Sequence, residues 1–319
     1  MQLPKNSKKK HSNKDTENEK NKIIINWYPG HMAKTKRQIQ EDLKLIDVVV
    51  EILDARIPMS SRNPDIEEII KNKSRLIVLN KFDLADEKQN QKWIQYFKNN
   101  GLQAVLVNSN TGEGINQAIK KIEEIYETMQ QKFESRGRVG KAIRVMILGI
   151  PNVGKSSFIN RLTKKNSTVV GNKPGVTRQK QWIRINGNIE LLDTPGVLWP
   201  KFESEEVALN LAYTGSIKDD ILQTVEIGFS LLRVLIDNYL EQLKERYKLE
   251  ILDIKNILNQ DIEENAKILE IMHLIGKKRG AIISGGNIDE EKTAKIILED
   301  FRSGNIGRIT LEMAEKYER

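Results

Sequence analysis

The sequence contains no cysteine. That absence excludes disulfide frameworks, thiolate metal sites and cysteine nucleophiles, and it suits a reducing compartment, so a cytoplasmic location is expected. Long apolar runs are missing too. None reaches the roughly 18 residues needed to cross a bilayer, and the N-terminus is polar and lysine-rich where a secretory signal would have an apolar centre. No membrane partner is expected. Tyrosine and tryptophan are sparse, 7 and 4 in 319 residues, which gives little material for stacking on unpaired bases.

Cations, in contrast, are abundant. Fifty-two Lys and Arg against 44 Asp and Glu leave a net charge of +8, a balance that favours polyanionic partners. Seven lysines (Lys5, Lys8, Lys9, Lys10, Lys14, Lys20 and Lys22) fall in the first 22 residues with only three acids and almost no apolar side chains. Such a segment cannot bury enough surface to fold alone, so residues 1–22 are expected to be a disordered arm, either a contact to a polyanion or a solvated tail.

The remaining chain is long enough for one medium domain and a smaller one. Short runs rich in Val, Ile and Leu ("DVVVEILDA", "RLIVLNK", "QAVLVNS", "RVMILG", "QWIRIN", "IELLD") alternate with amphipathic stretches near residues 34–45, 88–99, 115–132 and 155–163. This βα rhythm predicts a mostly parallel sheet covered by helices, an α/β domain over 23–204. Asn186-Gly187, between two apolar runs, signals a type I′ hairpin and one antiparallel pair. The Gly- and Arg-rich "ESRGRVGKA" (134–142) reads as a surface connection between two halves of that domain. From about Glu205 only helical periodicity remains, predicting a smaller all-α domain over 205–319.

The strongest chemical signal is Gly149-Ile-Pro-Asn-Val-Gly154-Lys155-Ser156, a G-x-x-x-x-G-K-S between an apolar strand and a helical segment. Backbone N–H groups from Asn152 through Val153, Gly154, Lys155 and Ser156 to Ser157 would cradle phosphates at a helix N-terminus. Lys155 would reach the β- and γ-phosphates, and the Ser156 hydroxyl would ligate Mg²⁺. Downstream, "LLDTPG" ends a strand with Asp193, placed to hold Mg²⁺ through water, and offers the Gly196 N–H to the γ-phosphate. Between them, "KPGVTRQ" supplies Thr177 as a second Mg²⁺ ligand. "LNKFDLAD" contains Asn80-Lys81-Phe82-Asp83, an N-K-x-D. Asp83 would accept two hydrogen bonds from the N1–H and amine of guanine, Asn80 would tie this loop to the phosphate loop, and the Lys81 stem would pack on the purine. "VNSNTGEG" then places the N–H groups of Asn108 and Ser109 toward the base oxygen. GTP is the implied substrate.

The base-reading motifs precede the phosphate-reading ones, the reverse of the usual order. In this order, together with "WYPGHMAK", "DARIPMSSRNP", "PGVTR", "LLDTPGVLWPKF" and "FRSGNIGRITLE", the chain resembles circularly permuted GTPases of the ribosome biogenesis GTPase A (YlqF) type, over nearly its whole length from Trp27. The resemblance implies a Ras-like P-loop GTPase domain, circularly permuted and followed by a smaller all-α domain, in a monomer that binds the large ribosomal subunit precursor and its rRNA late in maturation and leaves after hydrolysis. It also departs from the family in two places. The guanine loop reads Ser109-Asn110 where Ser-Ala is commoner, and the lysine-rich arm is longer than the family requires.

Permutation leads the chain from Gly196 directly into the helical part, so a γ-phosphate signal there could become a domain movement. Val197 follows Gly196 where many GTPases carry a water-orienting Gln, and it cannot hydrogen-bond. The resemblance points to His31 as the group that orients water, with a helix cap or an RNA contact as the other possibilities for a histidine there. Asn152 matches the asparagine that helps a subset of GTPases bind K⁺ beside the phosphates, or else it steadies the loop. Lys277, Lys278, Arg279, Arg302 and Arg308, in two glycine-containing basic stretches, are the expected RNA contacts, although solvated helix ends have the same composition. A GTP-switched binding module for a protein partner is the alternative function.

Overall fold

Strands that are buried on both faces need apolar side chains on both, and the Val-, Ile- and Leu-rich runs supply them. A computed structural model describes residues 32–134, 142–164, 167–170, 182–185, 188–193, 202, 204–217 and 223–318. In it β1 (Val48–Asp54), β2 (Ser74–Asn80), β3 (Gln103–Val107) and β4 (Ile143–Leu148) are parallel neighbours. A further strand, β5 (Ser167–Val170), pairs antiparallel with β6 (Trp182–Ile185), and β6 pairs antiparallel with β7 (Ile189–Asp193), which lies parallel to β4. The expected antiparallel pair is therefore present. Its turn at Asn186-Gly187 lies outside the described residues, as do residues 1–31 and most of the 134–142 connection. β5 was not expected from the sequence.

The sheet order is β3-β2-β1-β4-β7-β6-β5. β4, which feeds the G-x-x-x-x-G-K-S loop, sits in the middle although three strands precede it in the chain. Had the chain begun at β4 and returned through β1 to β3, the same sheet would have the phosphate-first order. The fold is thus circularly permuted, the 134–142 connection joining what would be the two ends of the phosphate-first chain. Along β1 the pleat sends Val48, Val50 and Ile52 to one core, shared with α4 (Ile115–Glu134) and α5 (Lys155–Lys164). Val49 faces α1 (Met32–Leu43) and α2 (Pro64–Ile70), and Leu53 faces α3 (Glu87–Asn99). α2 starts at a sharp signal: the Asn63 side chain accepts from Asp65 and Ile66 N–H, with Pro64 in the first turn.

Helices follow from Glu205: α6 (Glu205–Tyr213), α7 (Thr224–Asn238), α8 (Leu240–Tyr247), α9 (Ile251–Leu258), α10 (Glu264–Arg279) and α11 (Glu290–Ser303). Leu231, Leu235, Met272, Ile275, Ile297 and Phe301 belong to a core of their own. After α11 the chain turns back onto the α/β body. Gly304, at φ 78°, allows this, because a Cβ there would stand 2.6 Å from the Leu84 side chain. Ile309 N–H donates to Leu84 O at 2.8 Å, Leu311 N–H to Arg56 O at 2.8 Å, and Trp93 Nε1 to Glu312 O at 2.9 Å. Tyr239 of the helical part closes on both sides of Thr310, its hydroxyl donating to Thr310 O at 2.5 Å and accepting from Thr310 N–H at 3.1 Å.

Glu312 sits inside this clasp, 3% exposed. Its carboxylate accepts from Met59 N–H at 2.7 Å and Ser60 N–H at 2.9 Å, and from the Ser60 hydroxyl. Burial pushes its pKa up to about 7, the Ser60 and Met59 donors oppose the rise, and Glu206 adds to it. A carboxyl that holds its proton more tightly folded than unfolded adds stability below its ordinary pKa of 4.5, and that contribution fades as pH rises through 7. Glu312→Gln keeps an oxygen for Met59 N–H and can turn its amide toward the Ser60 hydroxyl. Urea midpoints from pH 5 to 8 should therefore fall for the native protein and fall less for the variant, by a difference on the order of 1–3 kcal/mol. Parallel curves would show that Glu312 titrates normally.

Candidate nucleotide-binding site

β4 ends at Leu148 and α5 begins at Lys155, so the loop between them hands its chain directly into a helix N-terminus. The first N–H groups of a helix have no intrahelical acceptor and point outward along a favourable dipole. Gly154 (φ 96°) has no substitute here, since a Cβ would stand 2.3 Å from Asn80 Nδ2. Asn152 takes a left-handed conformation (φ 59°). Its Nδ2 donates to Gly215 O at 2.5 Å, reaching across to the turn after α6. Lys155 is buried, with Nζ donating to Ile150 O at 2.9 Å, while Ser156 is exposed.

The N-K-x-D loop starts where β2 ends. Asn80 Nδ2 donates to Val153 O at 2.7 Å, and Asn80 Oδ1 accepts from Ser109 N–H at 3.1 Å and the Ser109 hydroxyl at 2.8 Å. One side chain thereby joins three loops separated by up to 73 positions in sequence. Lys81, at φ 60°, turns its ammonium back to Asn152 O at 2.7 Å and Asp54 Oδ2 at 2.9 Å. The result is a cavity of about 340 Å³ whose wall brings together Asn80, Lys81, Asn108, Ser109, Asn152, Gly154, Lys155, Ser156 and Ser157. Val153 contributes its carbonyl, and its side chain belongs to the core. Asp83 is half-buried in the short 3-10 turn Phe82–Leu84, two positions after Lys81, and is not among the side chains that line the cavity.

The third loop differs from expectation. The N–H groups of Asn108 and Ser109 are taken up inside the protein, by Glu113 O at 3.0 Å and by Asn80 Oδ1. The cause is local: Asn108 Oδ1 caps the turn by accepting from Asn110 and Thr111 N–H at 2.9 and 3.1 Å. Arg161 of α5 then braces the loop at the Ser109 and Asn110 carbonyls. His31, Thr177, Gly196 and Val197 lie outside the described residues. Asp193 ends β7 in register with Ile147 of the phosphate-loop strand.

Sequence reasoning gave no role to Asp54 and Arg56, although both were visible in "DARIPMSSRNP". Arg56 is 1% exposed and grips Asp54 through Nε to Oδ1 at 2.9 Å and Nη2 to Oδ2 at 2.8 Å. Its other nitrogen, Nη1, donates to Phe301 O at 3.3 Å. Burial alone would raise the Asp54 pKa, but the Arg56 guanidinium and Lys81 ammonium hold it well below the carboxylate range. The signal was a charged pair, Asp-x-Arg, at the end of a strand that is apolar except for Glu51.

The expected RNA contacts separate into two groups. Lys277 and Lys278 are exposed in the last turn of α10. Arg279 donates to Asp300 Oδ2 at 3.0 Å and stacks over Tyr247. Arg302 donates to Tyr213 O at 3.0 Å and Ala212 O at 2.9 Å, and Arg308 to Ala85 O at 2.7 Å. The three guanidiniums are committed within the chain, where they bind the helical part to itself and to the α/β body. Arg308 is exposed, and Arg279 and Arg302 are half-buried.

Among the described residues, no helix is long and apolar enough to cross a membrane. The 50S ribosome-binding GTPase family model matches residues 144–273. Ribosome biogenesis GTPase A of Bacillus cereus is 46% identical over 295 residues, 92% of this chain and 96% of that protein. The Thermotoga maritima protein of that name is 31% identical over 91% of this chain and 95% of its own length. Mitochondrial ribosome-associated GTPase 1 of Bos taurus is 34% identical over 91% and 89%. The crystal structure of GNP-bound YlqF from T. maritima superposes with a TM-score of 0.61 at 27% identity, covering 88% of this chain and 99% of that one.

Proposed function

Because the chain belongs to the ribosome biogenesis GTPase A family, we propose that it hydrolyses GTP while docked on a large ribosomal subunit precursor, late in maturation, and leaves after hydrolysis. It acts as a cytoplasmic monomer. The observation that carries this reading is the shared wall of the cavity, where Asn80 and Lys81 from one motif hold Val153 and Asn152 of the other.

Asp83 reads the N1–H and amine of guanine, and Lys81 lays its stem along the purine. The α5 N-terminus and Lys155 receive the phosphates. Ser156 is an exposed hydroxyl on the cavity wall, and the backbone places Asp193 at the adjacent strand end, a set of hard oxygen donors that suits Mg²⁺. These two with Thr177 would hold the ion, which when bound neutralises charge between the β- and γ-phosphates. Asn152 commits Nδ2 to Gly215, which leaves Oδ1 as the oxygen for K⁺, whose charge would do the work of an arginine finger. Gly196 meets the γ-phosphate. His31, immediately before α1, orients the attacking water. Lys277 and Lys278 contact rRNA.

The test is GTP turnover with and without purified large-subunit precursor particles, in K⁺ and in Na⁺. Slow turnover alone, rising with particles and favoured by K⁺, is expected. In His31→Ala the stimulated kcat should fall by about 10²-fold, the scale of a positioned acid–base group, while GTP affinity and particle binding stay close to native. Stimulation by a protein-only extract and none by particles would instead identify a GTP-switched binding module.

A further inference from the structure

Asp54 has no expected contact with nucleotide, yet it is the fully buried partner of a side chain that does line the cavity. Every acceptor position of its carboxylate is used. Oδ1 accepts from Arg56 N–H at 3.1 Å and Nε at 2.9 Å, and Oδ2 from Arg56 Nη2 at 2.8 Å and Lys81 Nζ at 2.9 Å. Arg56 is itself immobilised by Phe301 O and by the Phe301 ring, 5.0 Å away. Lys81 is therefore held by an anchored oxygen, in a left-handed backbone conformation that a lysine adopts only under constraint. A free lysine side chain would lose considerable rotamer freedom on packing against a base, and here that freedom is removed before any ligand arrives.

We propose that Asp54 is a positioning residue for guanine nucleotide, fixing the Lys81 ammonium against the phosphate-loop carbonyl of Asn152 so that the lysine stem is preset for the purine. The inference rests on the reading of Lys81 as the side chain that packs on the base. Since a purine face is the same whichever edge is read, the contribution of Asp54 is indifferent to the Asp83 code. It is equally indifferent to the γ-phosphate.

Those two properties set the experiment: equilibrium titration of the full chain with GDP, GTP and, in the Asp83→Asn background, XDP. Asp54→Asn keeps the volume and removes the charge, and it should weaken GDP and GTP equally, by about 10-fold, the worth of one hydrogen bond to a charged group. XDP binding to Asp83→Asn should weaken by the same factor. In a Lys81→Ala background Asp54→Asn should cost nothing further, because the residue acts through the lysine. If Asp54→Asn does not fold, Asp54→Asn with Arg56→Met removes both members of the buried pair, and the one cation that loses its counterion, Lys81, keeps the Asn152 carbonyl. The same 10-fold loss is expected there. Native affinity in the Asp54 variant, or a 10-fold loss that persists without the lysine, overturns the proposal while leaving the guanine site standing. Native affinity in Lys81→Ala alone removes the reading of Lys81, and the proposal with it.

Discussion

Asp83→Asn should exchange GTP for XTP as the preferred nucleotide, with GTP affinity falling by about 10⁴-fold, the discrimination that sites built on a paired buried polar group achieve. The carboxylate offers two acceptors to the N1–H and amine of guanine. An asparagine turns one of them into a donor, which faces the guanine amine with no partner but donates to the second carbonyl of xanthine. The turn itself should survive the change. Phe82 O accepts from Asn90 Nδ2 at 2.9 Å and Leu84 O from Ile309 N–H at 2.8 Å, so the loop is held by main-chain atoms from both sides. Thermal stability should stay within about 0.5 kcal/mol of native, as for other substitutions outside the core. Competition between GTP and XTP for the variant is the measurement, and unchanged GTP affinity with no gain for XTP would remove Asp83 from the site.

The permuted order could be read directly from the chain because each motif carries its own spacing and sits at a strand end. β1, β2 and β4 were legible for the same reason that they are central: strands buried on both faces are rich in Val, Ile and Leu with few polar positions. β5 was not, since Ser167-Thr-Val-Val170 is four residues long at a sheet edge and shows no periodicity. α2 carried a start signal in Asn63-Pro64, but its seven residues are fewer than two apolar repeats need.

The arginines show a different limit. Composition finds a cation beside a glycine and suggests a phosphate, as it does for Arg302 and Arg308. Within the chain they also donate to the carbonyls of Tyr213, Ala212 and Ala85, which every residue type possesses and which therefore leave no mark in the sequence. Asp54 and Arg56 are legible only in retrospect. Their pairing is local, but what makes it matter, Lys81 on one side and Phe301 on the other, is set by the fold.

Arg56→Ala is expected to destabilise the protein by about 3–5 kcal/mol, the cost of removing one partner from a buried ion pair. Three consequences converge on that figure. Asp54, with no exposed surface, keeps only Lys81 and a main-chain donor for its charge. The Phe301 and Arg302 carbonyls at the end of α11 lose a donor. A volume close to that of a long side chain is left empty between α11 and the β1 loop. Arg56→Lys should recover part of the loss, because it restores the charge but cannot span both carboxylate oxygens and the Phe301 carbonyl at once. Replacing the pair together, with Asp54→Asn and Arg56→Met, should be far milder than Arg56→Ala, since no fully buried ion is left unpaired and Lys81 keeps the Asn152 carbonyl. Urea denaturation of the four proteins ranks them: native, the double variant, Arg56→Lys, then Arg56→Ala. If Arg56→Ala matched the double variant, the stranded charge would be worth little, and the contact between the α/β body and the helical part would have to be held chiefly by the main-chain clasp at Ile309 and Leu311.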